Sequence, residues 1–374
     1  MGLKIQSAKI ILLVVAILFL FSGKISAQKK DSILIKKDSA KIEISGYIDA
    51  YYAHYTDSVG VGKYQKFPAA SPRNDQFGLN VAMITAKYSS ENVRGIVTVH
   101  YGDMPLISWS PTFNFLQEAN AGIRLCKTLW LDGGYFRTHF GTEAFFPKEN
   151  YTSSVSIPTF YETLYESGFR LNYNPNEKLS FFLYGVNGYS MYEDNNRKKS
   201  VGLLVTYIFS EALNIGYSGY FGDDSPDSVS QSHFRQMHNV FLNYHKKKLR
   251  FTTGIDYCHQ QHSDTTGKKN ATMFSVLAII KYQLPKKISI YSRGEYFSDP
   301  QGMMSGTFVD KTGKHTGYKI WGVTLGLEYK PTDNSYIRLE GRELIADKDQ
   351  EIFYWNKYYT NARTEVMINI GVSF

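Results

Sequence analysis

The stretch Arg363-Thr364-Glu365-Val366-Met367-Ile368-Asn369-Ile370-Gly371-Val372-Ser373-Phe374 decides the fold class. Val366, Ile368, Ile370, Val372 and Phe374 alternate with Arg363, Glu365, Met367, Asn369, Gly371 and Ser373. Successive side chains of an extended chain point to opposite faces, so one face of this segment suits lipid and the other suits water. The pattern recurs upstream. Trp321, Val323, Leu325, Leu327 and Tyr329 alternate with Gly322, Thr324, Gly326 and Glu328, and Leu249, Phe251, Thr253, Ile255 and Tyr257 with Arg250, Thr252, Gly254 and Asp256. Phe169, Leu171 and Tyr173 do the same against Gly168, Arg170 and Asn172.

The breaks between such segments alternate in length. Short ones fall at Ser89-Ser90, Cys126 to Thr128, Asn174 to Glu177, Ser210-Glu211, His245 to Lys247, Leu284 to Lys286 and Pro331 to Asn334. Long ones fall at 56–74, 102–116, 139–162, 188–199, 222–234, 259–269, 298–316 and 346–361. Short turns on one side and long loops on the other are the habit of outer-membrane barrels, whose turns are periplasmic. The expectation is an all-β chain forming an antiparallel transmembrane β-barrel of about 16 strands, with 14 or 18 as alternatives because 117–126 and 129–138 are weakly patterned. Tyr88, Tyr101, Tyr173, Tyr257, Tyr282 and Tyr329 stand on outward-type positions beside the breaks, as an aromatic girdle would. A soluble sandwich or propeller also alternates, but it does not place aromatics at strand ends so regularly.

Ile10 to Phe21 is an unbroken apolar run, flanked by Lys4 and Lys9 and followed by the small residues around Ser22-Gly23 and Ser26-Ala27. It is too short to span a bilayer as a helix and reads as the core of an export signal over 1–27. An uncleaved anchor is the alternative. After Gln28 no apolar run exceeds Val276 to Ile280, so a membrane form must be a closed barrel. Residues 28–41 read as a charged periplasmic extension and 42–374 as the barrel. The 29 Tyr, 24 Phe and 30 Gly among 374 residues suit strands with one greasy face. The net charge of +8 falls to about +5 without Lys4, Lys9 and Lys24, which could bias a pore toward anions but does not suggest nucleic-acid binding. Cys126 maps to a periplasmic turn and Cys258 near the outer rim, so two free thiols are expected.

Three passages resemble the OmpL-like β-barrel porin family of Gram-negative outer membranes. They are Gly134-Tyr135-Phe136-Arg137-Thr138-His139-Phe140-Gly141-Thr142-Glu143, Glu166-Ser167-Gly168-Phe169-Arg170-Leu171-Asn172-Tyr173, and Asn187-Gly188-Tyr189 with Asp194-Asn195-Asn196 and Lys199-Ser200. Gly46-Tyr47-Ile48-Asp49-Ala50-Tyr51-Tyr52 also fits its first strand, whereas Tyr189 stands where the family often has Trp. The resemblance implies a general pore without naming its solute.

A barrel this wide is not filled by its own side chains, so function depends on what narrows it. The longest loop, 139–162, carries Glu143, Lys148 and Glu149 among Phe140, Phe145, Phe146, Pro147 and Tyr151, aromatics that open water would not suit. It is expected to fold inward as the constriction; the alternative is a loop that caps the rim. Inward-type charges include Arg94, Arg170, Arg250, Arg293 and Arg338, with Glu166, Asp256, Glu295, Glu340 and Arg342. Charged rings in a pore wall bias ion flow, and Arg170 beside the loop is the foremost candidate; pairing among the charges is the bland alternative, best fitted by Arg338, Glu340 and Arg342. His259-Gln260-Gln261-His262 lacks a helix to align its two histidines on a metal, and no nucleophile motif is present. The function expected is passive diffusion of small hydrophilic solutes, mildly anion-biased, with no cofactor. The partners expected are outer-membrane lipid, the solutes and further copies in a homotrimer. The rivals are a barrel enzyme, with His100 or His139 at the outer rim, and a plugged structural or adhesive barrel.

Overall fold

The computed structural model describes residues 40–57 and 59–374. The proposed export signal and all of the extension but its last two residues lie outside the described residues. The barrel begins with β1 (Lys41–Tyr55), β2 (Gln76–Ser89), β3 (Val93–Tyr101), β4 (Leu116–Cys126) and β5 (Leu129–Arg137). It continues with β6 (Tyr165–Tyr173), β7 (Leu179–Val186), β8 (Ser200–Ser210), β9 (Leu213–Gly222) and β10 (Arg235–Lys246). β11 (Leu249–Gln260), β12 (Ala271–Gln283) and β13 (Ile288–Ser298) follow. Two hairpins, β14 (Phe308–Val309) with β15 (His315–Thr316) and β18 (Phe353–Trp355) with β19 (Tyr358–Thr360), stand in long loops on either side of β16 (Lys319–Tyr329) and β17 (Ser335–Ala346). β20 (Ala362–Ser373) closes the barrel on β1, antiparallel, with Tyr47 opposite Ser373 and Tyr55 opposite Glu365. The barrel thus has 16 strands, each antiparallel to its neighbours, and every long break recognised in the sequence joins strands at the same rim.

The period-2 pattern is what the barrel obeys. On β20, Val366, Ile368, Ile370 and Val372 are exposed outward, while Arg363, Glu365, Met367 and Asn369 are buried inside. Tyr88, Tyr101, Tyr257, Tyr282 and Tyr329 are exposed on the outer surface, and Tyr173 is half-buried there. The weakly patterned segments are strands after all, β4 and β5. Their alternation is blurred by a bulge between Arg124 and Cys126 and by Gly134, whose φ of +133° brings it close to the Asn120 backbone. Tyr135 and Phe136, adjacent in sequence, are both buried as a result. Cys126 is exposed and Cys258 buried, and both are free thiols. No helix among the described residues is long and apolar enough to cross a membrane.

The interior departs from the expectation of an unfilled water channel. On the long-loop side the inner wall is apolar over a run of strands: Tyr220 faces Met237, Met237 faces Cys258, Cys258 faces Met273, and Phe297 faces Ile320. These residues are fully buried, because Phe67, Phe140, Ile157, Tyr161, Met303 and Met304 from three long loops pack onto them. A 16-strand barrel leaves room that its own side chains cannot fill, and here returning loops occupy part of it.

Candidate functional site

Residues 138–164 connect β5 to β6, yet they rest on β13 and β17, about half the barrel's circumference away. The segment therefore crosses the lumen. Its backbone polar groups would be unsatisfied there without partners, and the far wall supplies them. Arg338 donates to the carbonyls of Pro147 (2.9 Å), Thr152 (2.7 Å) and Asn150 (2.9 Å). Glu340 accepts the amides of Ser153 (2.6 Å) and Ser154 (2.9 Å), and Glu295 accepts that of Ile157 (2.7 Å). Arg293 donates to the Ser154 carbonyl and hydroxyl, both at 2.8 Å, and reaches Glu143 at 3.2 Å. Glu143 in turn accepts the Ser156 amide at 2.7 Å, bracing the loop against itself.

Behind this seat runs a chain of alternating charge, out of water along most of its length. Glu143 meets Arg293, which meets Glu295 (3.3 Å); Glu295 meets Arg342 (2.7 Å), which meets Glu365 (3.6 Å). Glu365 pairs with Arg363, and Arg363 with Asp57 (3.2 Å) in the loop after β1. The charges are desolvated, so each is tolerable only while its partners remain; removing one partner of a buried pair costs about 3–5 kcal/mol. Phe140, Phe145 and Phe146 of the crossing segment are buried too, while Tyr151 is half-buried. Phe145 and Phe146 pack on Trp109 at centroid distances of 5.3 and 5.7 Å, and Phe146 also meets His100 edge-on.

The other side of the segment faces β3–β6. Arg94 forks onto Asp132 (2.7 and 2.6 Å), and Arg170 reaches the same carboxylate at 3.0 Å. The Arg94 and Arg170 guanidiniums lie over the rings of Trp130 and Phe136, at 4.4 and 4.6 Å. Arg137 pairs with Glu149, and Lys148 stands over Tyr47, 5.1 Å from the ring centre. All of these cations keep part of their surface exposed, and Glu118 is half-buried on the same wall.

The residues singled out in the sequence therefore divide. Glu143, Arg293 and Arg338 come together, buried at the seat of the crossing segment, and do not face lumen water. Lys148, Glu149, Arg94 and Arg170 come together on its open side. Arg250 belongs to neither group: it is exposed at the short-turn end of β11, opposite Lys281. Asp132, the carboxylate shared by Arg94 and Arg170, was not singled out, although it stands directly across from Arg170 in the β5–β6 register. Its strand's pattern is broken by Gly133-Gly134, which hid its inward direction. No group of three or more His, Cys, Asp or Glu among the described residues is arranged to hold a metal.

The barrel resembles solved outer-membrane proteins at low identity. The anion-selective porin from Comamonas acidovorans superposes with a TM-score of 0.61 at 9% identity, over 90% of this chain and 100% of that one. The outer-membrane channel DcaP of Acinetobacter baumannii gives 0.59 at 9% identity, over 90% and 97%. OmpT of Vibrio cholerae, in its trimer form, gives 0.55 at 12% identity, over 90% and 100%. No curated protein matches the sequence. The family described as "Putative beta-barrel porin-2, OmpL-like" matches residues 41–374, nearly the whole chain. A closed barrel with a greasy outside, a segment crossing its lumen and this family match together mean that the chain belongs to the OmpL-like β-barrel porins, passive diffusion channels of the Gram-negative outer membrane.

Proposed function

We propose that this porin passes small hydrophilic solutes with a mild preference for anions, between the segment 138–164 and the β3–β6 wall. The observation that carries this reading is the charge balance there. Arg94, Arg137, Lys148 and Arg170 keep exposed surface and outnumber the partly exposed Glu118 and Glu149 together with the buried Asp132, a small cationic excess in a narrow, low-dielectric passage. Transport by this route needs no covalent step and no cofactor. A catalytic role at His139 has little support, because Nδ1 meets Glu166 (2.8 Å) and Nε2 meets the Gly219 carbonyl (2.9 Å). Both nitrogens face acceptors, so neither is free to serve as a base.

The test is the reversal potential of reconstituted protein under a KCl gradient. The native protein should favour chloride modestly. Arg170→Glu, which puts a like charge beside Asp132, should shift the ratio toward potassium; an unchanged ratio would count against the assigned route.

A homotrimer is the assembly we favour. The outward face across β2–β5 carries Ala86, Gly95, Ala119, Ala121 and Gly133, a shallow depression of about 620 Å³ where another barrel could approach closely. OmpT of Vibrio cholerae provides a trimeric relative in fold. Native mass spectrometry from mild detergent reads the assembly directly, and a monomer alone would overturn it.

A further inference from the structure

A cavity of about 250 Å³ lies on the long-loop side of the lumen, where the returning arm of the crossing segment meets the loops after β7 and β13. Its wall holds Glu162, Leu164, Tyr189, Arg235, Met303 and Met304. Glu162 is only 4% exposed, and no hydrogen-bond or ion-pair partner meets its carboxylate among the described residues. Room for it is made by Gly141, whose φ is +108° and where a Cβ would stand 2.1 Å from Glu162 Oε2. Burial, then the charges of Asp256 and Glu143, push its carboxyl well above the usual range. Such a group is costly when empty and is relieved by a donor or a cation.

Across the same cavity stands a guanidinium prepared for the opposite charge. Arg235 lies over the Tyr189 ring, 4.7 Å from its centre, and its Nε–H donates to Gln260 Oε1 at 2.7 Å. Asp224 forms a long ion pair with it, Oδ2 standing 3.7 Å from Nη1, too far for a hydrogen bond, so the outer N–H groups have no hydrogen-bond acceptor among the described residues and remain for an incoming anion. The other Asp224 oxygen, Oδ1, is engaged by Tyr220 (2.6 Å), Ser200 (3.1 Å) and the Tyr189 amide (3.3 Å), which hold the carboxylate back from closer approach to Arg235. Between the two charges the surface is thioether and aliphatic, from Met303, Met304 and Leu164, which are half-buried and open the cavity to solvent.

We propose that this cavity is a solute-binding site for small zwitterions of the amino-acid type, with the ammonium at Glu162, the carboxylate at Arg235 and the apolar side chain on the two methionines. The assignment rests on the porin reading and names a solute class for it. A lone anion would leave Glu162 without a partner, and a lone cation would leave the outer Arg235 N–H groups with only the long Asp224 pair and no hydrogen-bond acceptor. Only a molecule carrying both charges satisfies the two ends at once.

The full-length protein, reconstituted in planar bilayers and separately held in detergent, is titrated with L-leucine and its two halves, 4-methylpentanoate and 3-methylbutylamine. Leucine should block the KCl current transiently and bind by calorimetry about tenfold more tightly than either half. Glu162→Gln should weaken leucine about tenfold and leave 4-methylpentanoate little changed, and Arg235→Gln should do the same relative to the amine. Leucine no better than a half-molecule, or unaffected by both substitutions, would overturn the site. Should either variant fail to fold, the three probes on the native protein decide alone. A protein that conducts KCl without preferring leucine sinks this site and spares the pore. One that binds leucine by calorimetry but never conducts sinks the pore and keeps the site.

Discussion

At the scale of single residues the division of labour follows from burial. Arg293 and Arg338 have the charge expected of pore-lining residues, but their N–H groups satisfy the backbone of the crossing segment, which otherwise would stand in the lumen without partners. Arg94 and Arg170 share Asp132 and keep exposed edges, so they remain able to act on a passing ion. Inward direction was legible from the alternation for each of these arginines. What each one meets was not, because the partners lie far away in sequence, as with Arg293 and Ser154 or Arg363 and Asp57. Glu149 carries a pH consequence. Burial opposes its ionisation, but the bond and charge of Arg137 outweigh it and hold the carboxyl below its usual range. A lowered folded-state value means that the pair's contribution is full above the ordinary carboxylate pKa of about 4.3 and is lost as pH falls through the lowered value. Open-channel current noise should therefore rise only in acid, as the Pro147–Glu149 turn loosens, and Arg137→Gln should show raised noise already at neutral pH. Noise independent of pH in the native protein would contradict this.

At the scale of elements, the strands and the alternation of short and long breaks were legible because period-2 patterning is local. The two segments that read weakly, β4 and β5, have physical causes: a bulge and a paired glycine that interrupt the alternation. The crossing segment was recognisable by its length and its phenylalanines, which need burial. Its seat was not, since a loop's destination depends on the curvature of a wall that no local pattern encodes. The apolar inner wall around Met237, Met273 and Phe297 was likewise hidden: once loops cover it, inward residues need not be polar, and the pattern cannot say where that happens. An inserted segment differs from a surface loop in access. Trypsin added outside proteoliposomes should cut the loop 261–270 at exposed Lys268 and Lys269 well before Lys148. Early cleavage at Lys148 would show the segment lying over the rim.

At the scale of the whole molecule the barrel divides two solvents. The outer surface meets lipid with isoleucine, valine, leucine and aromatic side chains, while the inner surface holds charges that lipid would not tolerate. Depth should then govern the cost of a charge on the outside. Ile368→Arg, near the middle of β20, should destabilise the barrel by about 2–4 kcal/mol in urea unfolding from lipid vesicles, and Ile42→Arg, at the first turn-side residues of β1, by about 0–1 kcal/mol. Equal costs would mean that the outward face does not meet hydrocarbon. The interior, by contrast, is packed by returning loops in two apolar clusters, one around Met237 and Phe297 and one around Met83, Trp109 and Phe146, and the central claim is that the segment 138–164 sets the size of the passage left between loops and wall. Single-channel recording of the native protein beside a deletion of residues 144–158 tests it most directly. The native protein should give discrete, ohmic KCl steps, and the deletion should give larger ones; silent bilayers with the native protein, or an unchanged step size after the deletion, would contradict the account.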